Sequence, residues 1–295
     1  MKWKNKKTGI IGLIVSTGIL VFVLAGGAPS KTASSKGGTY SPDGQKIVFF
    51  SDKNLWIMSA DGADVKQITR SEGYERWAQF SADGQTLAYI ADGDGDWEIN
   101  TINIDGSNLK QISTNTDTDL GASFSPDGRT IVVGAIQAGT GAKGLYLVGR
   151  DGQNRRDIIE NGVWPRWSRD GQTIVYGHAP ETENEFDIWA YDMRSRSAHA
   201  LTQNAGNNFG GAISADGRKI VFVSDRAGQM SLFEMNADGS NQRSLDISVI
   251  MDASPNYAPD GKTILFSNAV GEDGQTGLFQ YDIATKAIVN ITPHR

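Results

Sequence analysis

Apolar residues in this chain fall into short runs of about four, separated by polar stretches rich in glycine and aspartate. Residues 47–50 and 220–223 are continuous apolar runs, whereas residues 97–100 alternate between apolar and polar side chains. Short runs of β-branched and aromatic residues are typical of β-strands. The Asp-Gly pairs between them favour tight turns, because glycine adopts positive φ without strain. The pattern therefore predicts many short strands joined by tight turns.

One unit recurs six times along the chain: an aromatic residue or isoleucine, then serine or alanine, any residue, and Asp-Gly. Its aspartates lie 40 to 46 residues apart, at Asp43, Asp83, Asp127, Asp170, Asp216 and Asp260. That spacing has room for four short strands, and four-stranded repeats of this length form the blades of propellers. The predicted fold is all-β, a six-bladed β-propeller of four-stranded antiparallel blades. A pair of β-sandwiches is the alternative architecture, but it does not explain the constant period.

The ring is expected to close by packing of the sixth blade against the first, without a shared strand. The first strand of the first blade is expected at about residues 38–41. The repeated aspartates are interpreted as turn formers and not as catalytic acids.

The N-terminal segment is typical of an export signal. Four lysines, at positions 2, 4, 6 and 7, precede a stretch of 17 uncharged residues, 9–25, that ends in small side chains. Such a segment is either a cleaved signal peptide or an uncleaved membrane anchor. Gly27 stands where a lipoprotein would carry its lipidated cysteine, which excludes lipidation. We expect a signal peptide or anchor at 1–28, a flexible tether at 29–38, the propeller at 39–295, and a periplasmic or otherwise extracytoplasmic location.

Composition narrows the classes of function. The formal net charge of −6, which includes the lysines of the leader, argues against nucleic-acid binding, because phosphate contacts need clustered Lys and Arg. Cysteine is absent, which excludes disulfides, thiolate metal sites and cysteine catalysis. Residues 92–96 begin like a calcium loop but lack the glycine and the closing glutamate of that motif. We therefore expect no cofactor and no metal site.

The repeated unit resembles the TolB-type propeller repeat, also described as WD40-like. The resemblance rests on the sequence Tyr40-Ser-Pro-Asp-Gly and its five counterparts, and on third strands such as 187–189, Asp-Ile-Trp. TolB is similar in being periplasmic and in binding proteins of the cell envelope through its propeller. It carries an α/β domain ahead of the propeller, where this sequence has the tether, so the resemblance covers residues 38–295 alone.

Function is expected at the end of the propeller opposite the Asp-Gly turns, where loops vary in length and composition. The segments between blades should bring several side chains to the rim of the channel there: Glu75, Arg76, Trp77, Asp119, Trp164, Asn208, Phe209 and Asp252. Aromatic residues and arginine are the types that anchor protein interfaces, although packing between blades would also explain both tryptophans. The acids should make this rim negative, which favours a basic or amide-rich partner.

The sequence and the resemblance together predict a monomeric, non-catalytic binding module or scaffold for an envelope protein or a glycan. The membrane is involved only if the N-terminal segment stays uncleaved. The alternative is a glycan-processing hydrolase or lyase with acids at the channel mouth, since propellers assemble carboxylate pairs from distant blades.

Overall fold

The computed structural model describes residues 34–93, 95–179, 185–203, 205–271 and 274–293. These residues form six antiparallel sheets of four strands each and contain no helix. The first three sheets comprise β1 (Ser35–Tyr40), β2 (Lys46–Ser51), β3 (Asn54–Ser59) and β4 (Lys66–Gln67); β5 (Glu75–Phe80), β6 (Thr86–Ala91), β7 (Glu98–Asn103) and β8 (Lys110–Gln111); and β9 (Thr118–Phe124), β10 (Thr130–Ile136), β11 (Lys143–Gly149) and β12 (Arg156–Glu160).

The last three sheets comprise β13 (Gly162–Trp167), β14 (Thr173–His178), β15 (Asp187–Asp192) and β16 (Ser197–Ala200); β17 (Asn208–Ile213), β18 (Lys219–Ser224), β19 (Ser231–Asn236) and β20 (Arg243–Ser248); and β21 (Asn256–Tyr257), β22 (Thr263–Val270), β23 (Gln275–Asp282) and β24 (Ile288–Asn290). Each sheet is one blade, built from four consecutive strands. The first strand of each blade is the innermost, and the inner strands contact one another around the ring. This confirms the predicted six-bladed propeller.

The core lies between the blades. Six clusters of buried apolar residues are described, and each combines side chains from two neighbouring blades. Continuous apolar runs such as β2 and β18 bury both faces, one against each neighbour. One blade alone leaves both faces exposed to water, so stability depends on the ring.

The repeated Asp-Gly pair forms the turn between the first and second strand of its blade. In blade one, the Ser41 hydroxyl donates to the Asp43 carboxylate at 2.6 Å and accepts from the Lys46 N–H at 2.9 Å. The same Asp43 oxygen accepts from the Gln45 N–H at 3.0 Å. The serine–aspartate bond recurs at 2.5 to 2.6 Å in the next four blades, and it lowers the pKa of each of these aspartates. Blade six has Ala258 in place of the serine.

In the part of the chain that the structure describes, the ring closes without a shared strand, as expected. All four strands of blade six come from its own segment, and blade one contacts it through side chains and single hydrogen bonds. The Gly37 N–H donates to the Ser267 hydroxyl at 2.9 Å, and the Gln280 amide donates to the Ala60 carbonyl at 2.7 Å. Tyr40 packs in one cluster with buried residues of blade six. The two blades therefore meet much as the other neighbouring pairs do.

The first strand begins earlier than expected. Residues 35–38, assigned to the tether from the sequence, form most of β1, and Ser35 is fully buried. Contact with blade six orders them, since Gly38 lies so close to Leu265 that a methyl group there would be 2.8 Å from its side chain. The leader and tether up to residue 33 lie outside the described residues. In the part of the chain that is described, no helix could cross a membrane.

Candidate functional site

The inner strands carry a β-bulge near their first residues. Register shifts mark it in blades one to five, and in every blade the residue four positions before the turn serine, or its alanine counterpart, has a left-handed backbone. These equivalent residues are Gly37, Trp77, Gly121, Trp164, Gly210 and Ser254. Glycine adopts this conformation freely, but φ values of +53° at Trp77 and +50° at Trp164 are unfavourable for a large side chain. Such outliers persist where the surroundings hold them and are concentrated at ligand sites.

Both tryptophans line a cavity at the mouth of the channel, at the end away from the Asp-Gly turns. Its volume is about 780 Å³, counting the open solvent within its mouth. Its lining includes the side chains of Trp77, Trp164, Arg166, Phe209, Met251 and Asp252. We call this space the mouth cavity.

An aromatic cluster forms one wall of the mouth cavity. The ring centroid of Trp164 is 5.4 Å from that of Phe186 and 6.2 Å from that of Phe209. Phe186 and Phe209 are themselves 5.2 Å apart. Aromatic pairs at these distances stabilise one another beyond their buried area, so this wall is preformed.

Of the residues predicted at the rim, the structure brings Trp77, Trp164, Phe209 and Asp252 together in the mouth cavity. Arg76 points into a neighbouring groove, which Asp252 also lines. Its guanidinium lies over the rings of three aromatic residues, 5.3 Å from that of Trp97 and 5.8 to 5.9 Å from the other two. Arg76 and Trp77 line different spaces, because consecutive side chains of a strand point in different directions.

Glu75 and Asp119 do not face the channel, which differs from the expectation. They are 2% and 0% exposed, respectively. Asp119 accepts hydrogen bonds from the Ser113 hydroxyl at 2.6 Å, the Tyr146 hydroxyl at 2.9 Å and the Ile99 N–H at 3.3 Å. These acids therefore join the first strand of one blade to the outer strands of the preceding blade.

Burial determines the pKa values of these two acids. Loss of water around the carboxylate raises the pKa of Asp119 to about 6, against the opposing effect of its hydrogen bonds. The pKa of Glu75 is also raised, mainly by burial, although the Thr69 hydroxyl and the Leu55 N–H donate to its carboxylate. Neither carboxylate is open to a substrate in the channel.

Asn208 occupies the same position in blade five and is fully buried. Its amide donates to Asp187 at 3.1 Å and its oxygen accepts from Arg226 at 2.7 Å. Thr202 also donates to Asp187. A serine or threonine stands six positions before each of these buried residues: Thr69 before Glu75, Ser113 before Asp119 and Thr202 before Asn208. That spacing was the signal in the sequence for a structural role.

Sequence reasoning missed Arg166 and Met251. Arg166 stands two positions before the turn serine of blade four. Aligning the repeats on that serine would have revealed it, because the equivalent residues of the other blades are uncharged. Met251, at 61% exposure, is one of the exposed large apolar residues. The expected ring of acids is thus replaced by aromatic side chains, one arginine and Asp252, and the described residues contain no His, Asp and Glu cluster able to hold a metal.

Two sequence-family models match the chain. The Tricorn protease N-terminal β-propeller domain matches residues 40–186, and the TolB β-propeller domain matches residues 160–294. An uncharacterized protein of Agrobacterium fabrum is 33% identical over 43% of this chain and 43% of its own length. The Tol-Pal system protein TolB of Anaeromyxobacter dehalogenans is 30% identical over 42% of this chain and 29% of its own length. The matched segments are thus less than half of either relative.

Solved structures extend the likeness over most of the chain. TolB from Acinetobacter baumannii superposes with a TM-score of 0.72 over 89% of this chain and 64% of that one, at 19% identity. An oligogalacturonate lyase from Vibrio parahaemolyticus gives 0.57 over 88% and 93%, at 13% identity, which shows a common fold alone. The chain thus has a β-propeller similar to that of TolB, which is supported by the likeness to solved structures and by two family models that each match just under half of the chain and together span residues 40–294.

Proposed function

We propose that this protein is a non-catalytic binding module of the cell envelope that holds a protein partner at the mouth cavity. The observation that carries the proposal is the pair Trp77 and Trp164, held in left-handed backbone where three of the equivalent positions are glycine. Both are half-buried and line an open cavity, so neither is consumed by packing alone. Tryptophan is one of the residues enriched among the energetic anchors of protein interfaces.

A binding role fits the chemistry of the mouth cavity better than catalysis does. Asp119 has the raised pKa expected of a general acid, but it is fully buried and saturated with hydrogen bonds. Asp252 is the one acid lining the mouth cavity among the described residues, and hydrolysis of a glycan needs two carboxyl groups. The common fold therefore favours the glycan-processing alternative, but no pair of acids lines the mouth cavity among the described residues.

An extracytoplasmic location is part of the proposal. It is supported by the basic and apolar leader, residues 1–25, and by the likeness to a Tol-Pal system protein. Replacing both Val15 and Leu20 with arginine should keep the protein in the cytoplasm, at about 2.5 to 3.5 kcal/mol of insertion free energy per substitution. Fractionation of cells that express the tagged double mutant tests this, and normal export of that mutant would contradict the assignment.

Capture from envelope extract tests the binding role. The tagged full-length protein serves as bait, and the partner identified with it is then titrated against purified variants. Trp77→Ala and Trp164→Ala should each weaken that complex by about 2 kcal/mol or more, with the fold intact. Leu109→Ala is the matched control, since Leu109 is 63% exposed in the turn between β7 and β8, at the opposite end.

Thermal unfolding of the same variants separates binding from packing. If the tryptophans serve only to pack the blades, each substitution should cost about 3 to 5 kcal/mol of stability and leave the affinity unchanged. That result would show that the two tryptophans have a structural role and do not bind the partner. Turnover of a glycan by the purified protein would replace the binding proposal with the enzymatic one.

A further inference from the structure

A single charge lies among the residues that line the middle of the channel. The residues two positions before the turn serine, or before Ala258, occupy equivalent places on the six inner strands: Thr39, Gln79, Ser123, Arg166, Ala212 and Asn256. Five are uncharged, and four of those line the space at the turn end of the channel. Arg166 instead lines the mouth cavity. The floor of the mouth cavity therefore carries one guanidinium without a symmetry-related counterpart.

Arg166 has no acid to pair with among the described residues. No ion pair or hydrogen bond of its guanidinium is found there, and the side chain is only partly exposed, towards the mouth cavity. Loss of water without a compensating charge lowers the pKa of Arg166 to about 10, which leaves it protonated at neutral pH. Asp252, on the same cavity, is 4.0 Å from the ammonium group of Lys36. An unpaired cation that is partly shielded from water is costly, so its site is complementary to an anion.

The walls above Arg166 suit an apolar group. Trp77, Trp164 and Phe209 line the same cavity, and the indole N–H of Trp164 is buried without a hydrogen-bond partner among the described residues. A ligand that fills this space would meet aromatic faces and the guanidinium. Arginine binds carboxylates through two parallel hydrogen bonds, which adds orientation to the charge attraction.

We infer, on the basis of the proposed function, that the mouth cavity binds an extended segment of the partner that carries a carboxylate beside an apolar side chain, with Arg166 as the ligand of that carboxylate. The inference gives the partner an acidic group at the point of entry, whereas the sequence favoured a basic or amide-rich partner. That expectation counted Glu75 and Asp119 as rim charges, and the structure buries both.

Three small peptides test the inference on the full-length protein by calorimetric titration. Acetyl-leucyl-phenylalanine has a terminal carboxylate, acetyl-glutamyl-phenylalanine amide has a side-chain carboxylate, and acetyl-leucyl-phenylalanine amide has neither. At least one of the two acids should bind tenfold or more tightly than the uncharged amide, and the tighter acid identifies the source of the carboxylate. Equal binding of all three peptides, or no binding of any, would overturn the inference.

Substitution of Arg166 connects the preference to this residue. Arg166→Gln should abolish the difference between acid and amide, whereas Arg129→Gln, at an exposed residue of the blade-three turn, should keep it. Trp77→Ala should weaken all three peptides. Full preference in the Arg166→Gln variant would assign the carboxylate to another residue and refute the proposal.

Stability gives a readout that does not depend on any ligand. Arg166→Met replaces the unpaired cation with an apolar side chain of similar length, so the unliganded protein should melt about 2 °C or more higher. A lower melting temperature would show that Arg166 supports the fold and not a ligand. If the captured partner is lost with Trp77→Ala but binds Arg166→Gln normally, the carboxylate inference fails while the proposed function stands. If neither substitution affects capture, both fail.

Discussion

Asp119 should make the stability of this protein depend on pH in an unusual direction. Burial raises the pKa of this carboxyl from 3.8 to about 6, so the native state binds the proton more tightly than the unfolded chain does. Stability from this group is therefore complete below pH 3.8 and is lost as pH rises through about 6. A difference of about two pKa units corresponds to about 3 kcal/mol, of which roughly 2 to 3 kcal/mol falls between pH 4 and pH 7.

Asp119→Asn isolates this effect, since asparagine keeps a similar shape and does not titrate. Urea unfolding of both proteins at pH 4, 5, 6 and 7 gives the free energy of unfolding at each pH. The wild type should lose about 2 to 3 kcal/mol relative to the variant over that range, whatever the constant offset between the two proteins. Buried Glu75 is present in both, so its contribution cancels.

Asp127→Asn is the matched control within the same blade. Asp127 is a turn aspartate whose pKa is lowered, first by the Ser125 hydroxyl, so its stabilising effect is lost as pH falls through that lowered pKa. Its pH dependence should have the opposite sign and lie below about pH 5, since the unfolded value is near 3.9. Parallel curves for wild type and Asp119→Asn from pH 4 to 7 would refute the reasoning, because the native carboxyl would then titrate like an unfolded one.

Two further predictions concern the repeat and its closure. Ala258→Ser should stabilise the protein by about 1 kcal/mol in urea unfolding. The new hydroxyl would donate to Asp260 and accept from the Thr263 N–H, as the serines of the other blades do in their turns. An unchanged or lower stability would show that blade six has no room for the hydroxyl. Gly38→Ala should destabilise the protein by about 1 to 3 kcal/mol in urea unfolding, since the new methyl group would lie 2.8 Å from the fully buried Leu265. A neutral effect would mean that the contact between blades one and six adjusts easily.

The sequence was enough to predict the blades because the same turn motif recurs in it six times. It was insufficient for the start of β1, where residues 35–38 read Ser-Lys-Gly-Gly and resemble a loop. Their strand conformation depends on contacts with blade six, which lies more than two hundred residues away in the chain. Local propensity contains no information about such a contact.

The candidate site could be predicted only in part, because its geometry also depends on contacts that the local sequence does not show. Trp77 and Trp164 were found because large aromatic residues between blades are conspicuous, but the bulge that sets their direction is not visible in strand alternation. Glu75 and Asp119 are expected at the rim of the channel because they lie in the segments that lead into the innermost strands. Only the geometry shows that they accept hydrogen bonds from the preceding blade.

Each blade is formed by one continuous stretch of chain, and in the described residues the ring is closed by contacts between blades without a shared strand. A gene duplication could therefore copy one blade as a whole. A tandem duplication of one repeat would add a whole blade with its own turn and leave every existing strand threaded as before. The copied segment would not be neutral for the channel, however. A second copy of blade four would bring a second guanidinium to the lumen, whereas the equivalent position on the inner strand of every other blade is uncharged.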